Sequence, residues 1–318
     1  METFLDTTCL TEKLHTSAVE LISSIHGNQR RVERSIERRD LQSAVKNGKK
    51  QLQHIRIKGK IVIRYKFTFA DYVYITDETC TKEITSWVLP LPLNLVKSSD
   101  NDQHQYESAK VQIAQDPKII TSHSVFVIDC SGSMRNSDVK AHRSRADAVS
   151  YAVASEFIAK RLYNPSSEVT TNDVVTVVEM RDEAQIIFSK EPMSCVFYNK
   201  FVTRMKKSKP SSHGNYIPSL NLALKALKEN DHENLALFLF FLSDGRPSYS
   251  HASNDIYRRI MLIGSYFRNR LTFSMEGFGL PLDDLTVLEK MATNLKAFGA
   301  AGDFHRSNLK KVGSLSST

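Results

Sequence analysis

Eight consecutive apolar residues, Leu235 to Leu242 (LALFLFFL), stop abruptly at Ser243-Asp244-Gly245. A segment with no polar residue at alternate positions has to be buried on both sides, as in a central strand of a helix-covered sheet. It is far too short to cross a membrane, and no apolar run in the chain reaches 18 residues. Upstream, Ser124 to Ile128 (SVFVI) has the same character and also ends in an acid, Asp129. Further strands are expected at 173–180, 185–188, 271–279 and 296–300. Between them the apolar residues recur at helical spacing: Ala148, Tyr151, Ala152, Ser155, Ile158 and Leu162; Ile217, Leu220, Leu224 and Leu227; then 256–270 and 285–294. Strands and helices in alternation predict an α/β architecture over 123–306, a Rossmann-like, doubly wound and mostly parallel sheet.

The first 96 residues read differently. A helical pattern runs from Thr16 to about Lys46 and stops at Asn47-Gly48. The period then changes to two, with Ile55, Ile57, Ile61, Ile63, Tyr65 and Phe67 alternating with Lys and Arg, a turn at 58–60, and strands at 72–76 and 83–88. This predicts a small α+β domain over 1–96, a polar linker over 97–122 with a short element near 109–113, and a short tail over 307–318. Charge is concentrated in the first of these. The whole chain carries 43 Lys and Arg against 35 Asp and Glu, a net +8. From Asn28 to Lys66 thirteen basic residues face three acidic ones, a local +10, so the rest is close to neutral. Such a stretch suits nucleic acid, acidic lipid headgroups or an acidic protein face, and also an ordinary solvated surface.

Four cysteines (Cys9, Cys80, Cys130, Cys195) are scattered without a close pair, which predicts neither a disulfide framework nor a zinc site and fits a reducing compartment. Residues 1–20 carry Glu2, Asp6, Glu12 and Glu20, the wrong composition for a secretory signal. The expectation is a soluble intracellular protein, cytoplasmic or alternatively nuclear.

In open α/β sheets ligands bind beyond the carboxyl ends of the strands. Two such ends read Asp129-Cys130-Ser131-Gly132-Ser133-Met134 and Ser243-Asp244-Gly245-Arg246-Pro247-Ser248. Two carboxylates and two hydroxyls are hard oxygen donors, suited to Mg²⁺ or Mn²⁺. Taken alone, Asp-x-Ser-x-Ser also reads as a helix N-cap. The context lacks the Gly-x-Ser-x-Gly elbow of a serine nucleophile, a second Asp two residues after Asp129 for phosphoryl transfer, and a phosphate-cradling loop ending in Lys-Ser/Thr.

DCSGSM followed about 110 residues later by an apolar strand and Asp-Gly closely resembles the von Willebrand factor type A domain, over His123 to about Arg306. That resemblance implies a metal-ion-dependent adhesion site. The matching ligands are Asp129, Ser131, Ser133 and Asp244, with Asn215 at the place where the family has a Thr. It also implies a partner that completes the coordination with an acidic residue, and a rim at Met134, Arg135, Tyr216, Arg246 and Ser248. The amino-terminal part weakly resembles small toxin-like ribonuclease α+β domains, without a legible catalytic constellation. The reading is therefore a non-enzymatic module that binds a partner's carboxylate through Mg²⁺ or Mn²⁺. The alternative is an RNA-binding or RNA-cleaving protein that acts through the basic stretch Arg30–Lys66, with the metal domain as a targeting module.

Overall fold

The computed structural model describes residues 22–24, 36, 38–58, 60–69, 72–88, 95–139, 142–163, 172–229, 231–248, 253–279 and 282–306. The chain divides into two compact units, 1–89 and 90–318.

In the first unit, strands β1 (Ile22–Ser23), β2 (Lys49–Ile57), β3 (Lys60–Phe69), β4 (Tyr72–Thr76) and β5 (Lys82–Val88) form one sheet in the order β1-β5-β4-β3-β2. All pairs are antiparallel except β1 with β5. A helix over Arg38–Asn47 buries Leu41 and Ala44. The expected helix from Thr16 is corrected at Ile22–Ser23. There the Ile22 N–H donates to the Thr81 carbonyl at 2.8 Å, and a sheet edge takes the backbone bonds a helix would have used. Most of 16–37 lies outside the described residues.

The second unit contains the expected sheet. Strands β6 (Ser122–Asp129), β7 (Asp173–Met180), β8 (Gln185–Pro192), β9 (Ala236–Ser243), β10 (Leu271–Gly277) and β11 (Ala301–Arg306) lie in the order β11-β10-β9-β6-β7-β8. Every pairing is parallel except β7 with β8. Side chains of β6 and β9 alternate between two cores. Val125, Val127, Leu239 and Phe241 face the helices over Tyr216–Lys228, Ser253–Phe267 and Thr286–Ala297. Phe126, Ile128 and Leu242 join the other core, with the helical stretch Arg145–Tyr163 and the helix over Cys195–Lys207. Phe126 stacks on Phe240 at 4.6 Å and meets Phe157 edge-on at 4.8 Å. Truncating a fully buried phenylalanine such as Phe126 to Ala costs about 3–5 kcal/mol.

Three expectations change. The linker over 97–122 contains a 16-residue helix, Asp100–Gln115, opened by a capping box between Ser99 and Asp102. Its composition is polar because only Tyr106, Ala109 and Ile113 face inward. The Cys195–Lys207 helix, not anticipated, starts with the Phe197 N–H donating to the Ser194 hydroxyl at 3.1 Å. The last strand begins at Ala301 instead of 296. Residues 296–297 finish a helix that Gly299, at φ +86°, terminates in a left-handed turn. Gly302 is then obligatory, because a Cβ there would lie 1.9 Å from the Phe273 carbonyl oxygen. The tail over 307–318 lies outside the described residues. Among the described residues no helix is long and apolar enough to cross a membrane.

Candidate functional site

Strands β6 and β9 are paired in parallel from Ser122↔Ala236 to Ile128↔Leu242, so Asp129 and Ser243-Asp244 leave the sheet side by side. Both carboxylates are fully buried. The Asp129 Oδ1 accepts the Ser131 N–H at 2.8 Å, and its Oδ2 accepts the Ser243 hydroxyl at 2.6 Å. Burial, and then the charge of Asp244, push the Asp129 carboxyl up to about 6. The Ser131 and Ser133 hydroxyls lie 3.0 Å apart at the start of a 3₁₀ turn over Gly132–Arg135.

Asp244 is held from one side only. Its Oδ2 accepts a guanidinium N–H of Arg145 at 3.2 Å, whereas its Oδ1 is buried without a hydrogen-bond partner. A buried carboxylate oxygen left bare is costly. Arg145 itself is 2% exposed and is shared among three acids. Its Nε donates to Asp138 at 2.9 and 3.0 Å, and its Nη2 to Asp138 and, at 2.8 Å, to Asp283. Burial opposes the charge on Arg145. The hydrogen bonds of Asp138 and the charges of Asp138, Asp244 and Asp283 outweigh it, so the guanidinium is held charged beyond its usual range. Asp283 also accepts from the exposed Arg246 at 2.6 Å.

A third segment closes the site. The Gly132 N–H donates to the Ser212 carbonyl, and the Ser211 N–H to that of Cys130, both at 2.9 Å. Gly214 is thereby laid against Asp129: a Cβ on it would sit 3.5 Å from both Asp129 oxygens and 3.4 Å from the Ser131 Cβ. Asn215, expected among the ligands, directly follows Gly214 in this segment. Its backbone N–H donates to the Arg181 carbonyl at 3.0 Å, and it opens the Tyr216–Lys228 helix.

Two residues expected at the rim are inside. Met134 is fully buried in the core of β6, because the 3₁₀ turn rotates it inward. Tyr216 is buried beneath the site, its hydroxyl 2.7 Å from that of Ser243. Arg135, Arg246 and Ser248 are exposed. Ser248 is anchored to Gly214, accepting its N–H at 2.7 Å and donating its own N–H to the Gly214 carbonyl at 3.1 Å. Cys130 is buried and its thiol is pushed up to about 12, mainly by burial, which fits packing and not thiolate chemistry.

Arg145, Asp138, Asp283, Ser243 and Gly214 carry no signal in the sequence reading. Ser243 and Gly214 do adjoin Asp244 and Asn215. Arg145 meets Asp244 and Asp283 across 99 and 138 residues, with nothing local to mark it. Among the described residues no three His, Cys, Asp or Glu side chains form a metal-ligand cluster. The donor set here is two carboxylates with two serine hydroxyls. The unpartnered Asp244 oxygen, the Asp129 carboxyl facing Asp244 and the Cβ-free space over Gly214 fit a small hard cation.

Residues 124–246 match the family model of the von Willebrand factor type A domain. No curated protein sequence matches the chain. Among solved structures, the conserved hypothetical protein BatB from Bacteroides thetaiotaomicron is similar at 15% identity, over 58% of this chain and 90% of that one, with a TM-score of 0.43. A von Willebrand factor type A protein from Catenulispora acidiphila is similar at 17% identity, over 59% of this chain and only 40% of its own, with a TM-score of 0.43. The manganese-loaded TRAP protein of Plasmodium vivax is similar at 13% identity, over 55% and 63% of the two chains, with a TM-score of 0.37.

Proposed function

Residues 124–246 carry a von Willebrand factor type A domain, and from that premise we propose that this chain is a non-catalytic binding module that grips a partner's carboxylate through a divalent cation. Domains of this family typically mediate protein–protein interaction and often bind a divalent metal. Asp129, Ser131, Ser133 and Asp244 would hold the cation, Mg²⁺ or Mn²⁺, and the cation would supply an open coordination position for an external oxygen.

The observation that carries this reading is the bare, buried Oδ1 of Asp244 beside a second buried carboxylate. The remaining work falls to the chain's own groups. The Ser131 N–H and the Ser243 hydroxyl orient Asp129. Arg145 fixes Asp244 and offsets part of its charge. Arg135 and Arg246 hold positive charge at the exposed rim, where an incoming acidic group is drawn in.

Calorimetric titration of the metal-stripped full chain with Mn²⁺ tests this. One site per chain is expected, lost in Asp244→Ala. Retention of the chain on an immobilised acidic peptide should depend on Mn²⁺ and disappear with EDTA. No heat of binding, or retention indifferent to EDTA, overturns the proposal.

A further inference from the structure

Strands β2 and β3 form a ribbon with seven basic residues and no acidic one between 49 and 69. β2 is the outermost strand of its sheet and is exposed at seven of its nine positions. The register pairs Arg56 with Ile61 and Ile57 with Lys60. Side chains alternate between faces along a strand, so each face near the turn presents one aliphatic chain beside one cation. Ile61 is 67% exposed, Leu52 47%, and Ile57 and Ile63 37% each. Lys58 takes a left-handed conformation, φ 48°, at the turn itself. Among the described residues Arg56, Lys58 and Lys60 have no ion-pair partner.

Scattered exposed aliphatics need no explanation, but Leu52, Ile61 and Ile63 share one face of the ribbon and Ile57 flanks the turn on the other, which leaves apolar surface unrewarded on both sides of its tip. Cations around them restrict what that surface meets. The geometry points to peripheral docking of this ribbon on an anionic lipid bilayer, with Ile57 and Ile61 entering the headgroup–acyl boundary and Arg56, Lys58 and Lys60 pairing with acidic headgroups. A bilayer rewards both kinds of side chain at one depth. A nucleic acid would reward the cations and leave the isoleucines idle, since base stacking needs π-faces. Two rings lie in the middle of the ribbon: Tyr65 is already covered by the Lys50 ammonium at 4.0 Å, which leaves the exposed imidazole of His54 as a single small platform. The inference rests on the first unit alone and does not depend on the metal site.

The test is co-sedimentation of the full chain, in EDTA so that the metal site plays no part. The probes are phosphatidylcholine vesicles with and without 30% phosphatidylserine. Binding is expected only to the anionic vesicles and should weaken with added salt. Each cation near an anionic surface is worth about fivefold in affinity, so Lys58→Gln with Lys60→Gln should weaken binding about 25-fold. Ile61→Ser, which changes no charge and removes no core contact, should weaken it severalfold while leaving the circular dichroism unchanged. Equal binding to neutral vesicles, indifference to Ile61→Ser, or capture of RNA or duplex DNA without capture of vesicles overturns the inference.

Discussion

Arg145 reaches across 99 residues of chain to place a guanidinium N–H 3.2 Å from the Oδ2 of Asp244. The same guanidinium binds Asp138 and Asp283, so one buried cation gathers three loops above the sheet. Removing it leaves three acids without their shared counter-charge. Arg145→Met should therefore destabilise the chain by about 3–5 kcal/mol in urea unfolding. Arg145→Lys keeps the charge but cannot span three carboxylates with a planar fork, and should recover only part of that loss. Equal stability of the methionine variant and the parent would show that the network carries no net weight.

The Asp129 carboxyl gives a pH signature in the metal-free chain. Its folded value, about 6, lies above the ordinary aspartate value of 3.8, so the folded state retains a proton that the unfolded state releases. Stability from this group is fully present below about pH 4 and is lost as the pH rises through 6. The loss is roughly 3 kcal/mol. In EDTA, Asp129→Asn should flatten that part of the stability–pH curve and make the chain more stable than the parent at pH 7. Parallel curves for the two proteins refute the assignment.

Gly214 separates folding from cation binding. Its contacts leave ordinary van der Waals room for one methyl group, so Gly214→Ala should fold with little change in stability. Gly214→Val projects further over the Asp129 oxygens. It should lose the Mn²⁺-dependent rise in melting temperature, which follows ligand occupancy. A valine variant stabilised by Mn²⁺ as much as the parent would place the cation elsewhere.

Arg246 is exposed and paired with Asp283 at 2.6 Å, so its ion pair is worth about 0–1 kcal/mol in stability. Arg246→Ala should leave unfolding nearly unchanged and reduce Mn²⁺-dependent retention on an acidic peptide severalfold. A change in stability without a change in retention reverses that assignment.

The sheet was legible because β6 and β9 are apolar on both faces, a pattern that leaves little choice of environment. That Asp129 and Asp244 lie side by side could be anticipated because the ends of neighbouring strands in such a sheet converge. Inward and outward positions within the short loops could not. Met134 follows two serines in a turn and gives no period from which its direction could be read, and Tyr216 looks like any polar-tipped residue at a helix start. The helix over Asp100–Gln115 was hidden by composition, since three inward residues suffice where the rest is solvated. Arg145 was invisible for a different reason: its meaning lies wholly in acids distant along the chain.

The unbroken β6–β9 register has an implication for how such a protein diversifies. Backbone bonding of two neighbouring strands sets the spacing of the acidic pair, and the residues that lead up to it, Ile128 and Leu242, are buried. The exposed Arg135 and Arg246 lie outside that pairing. If the proposed function holds, exchanging them would alter what is recognised while the spacing of the acidic pair stays as the strands set it, so new preferences would arise by drift at the periphery.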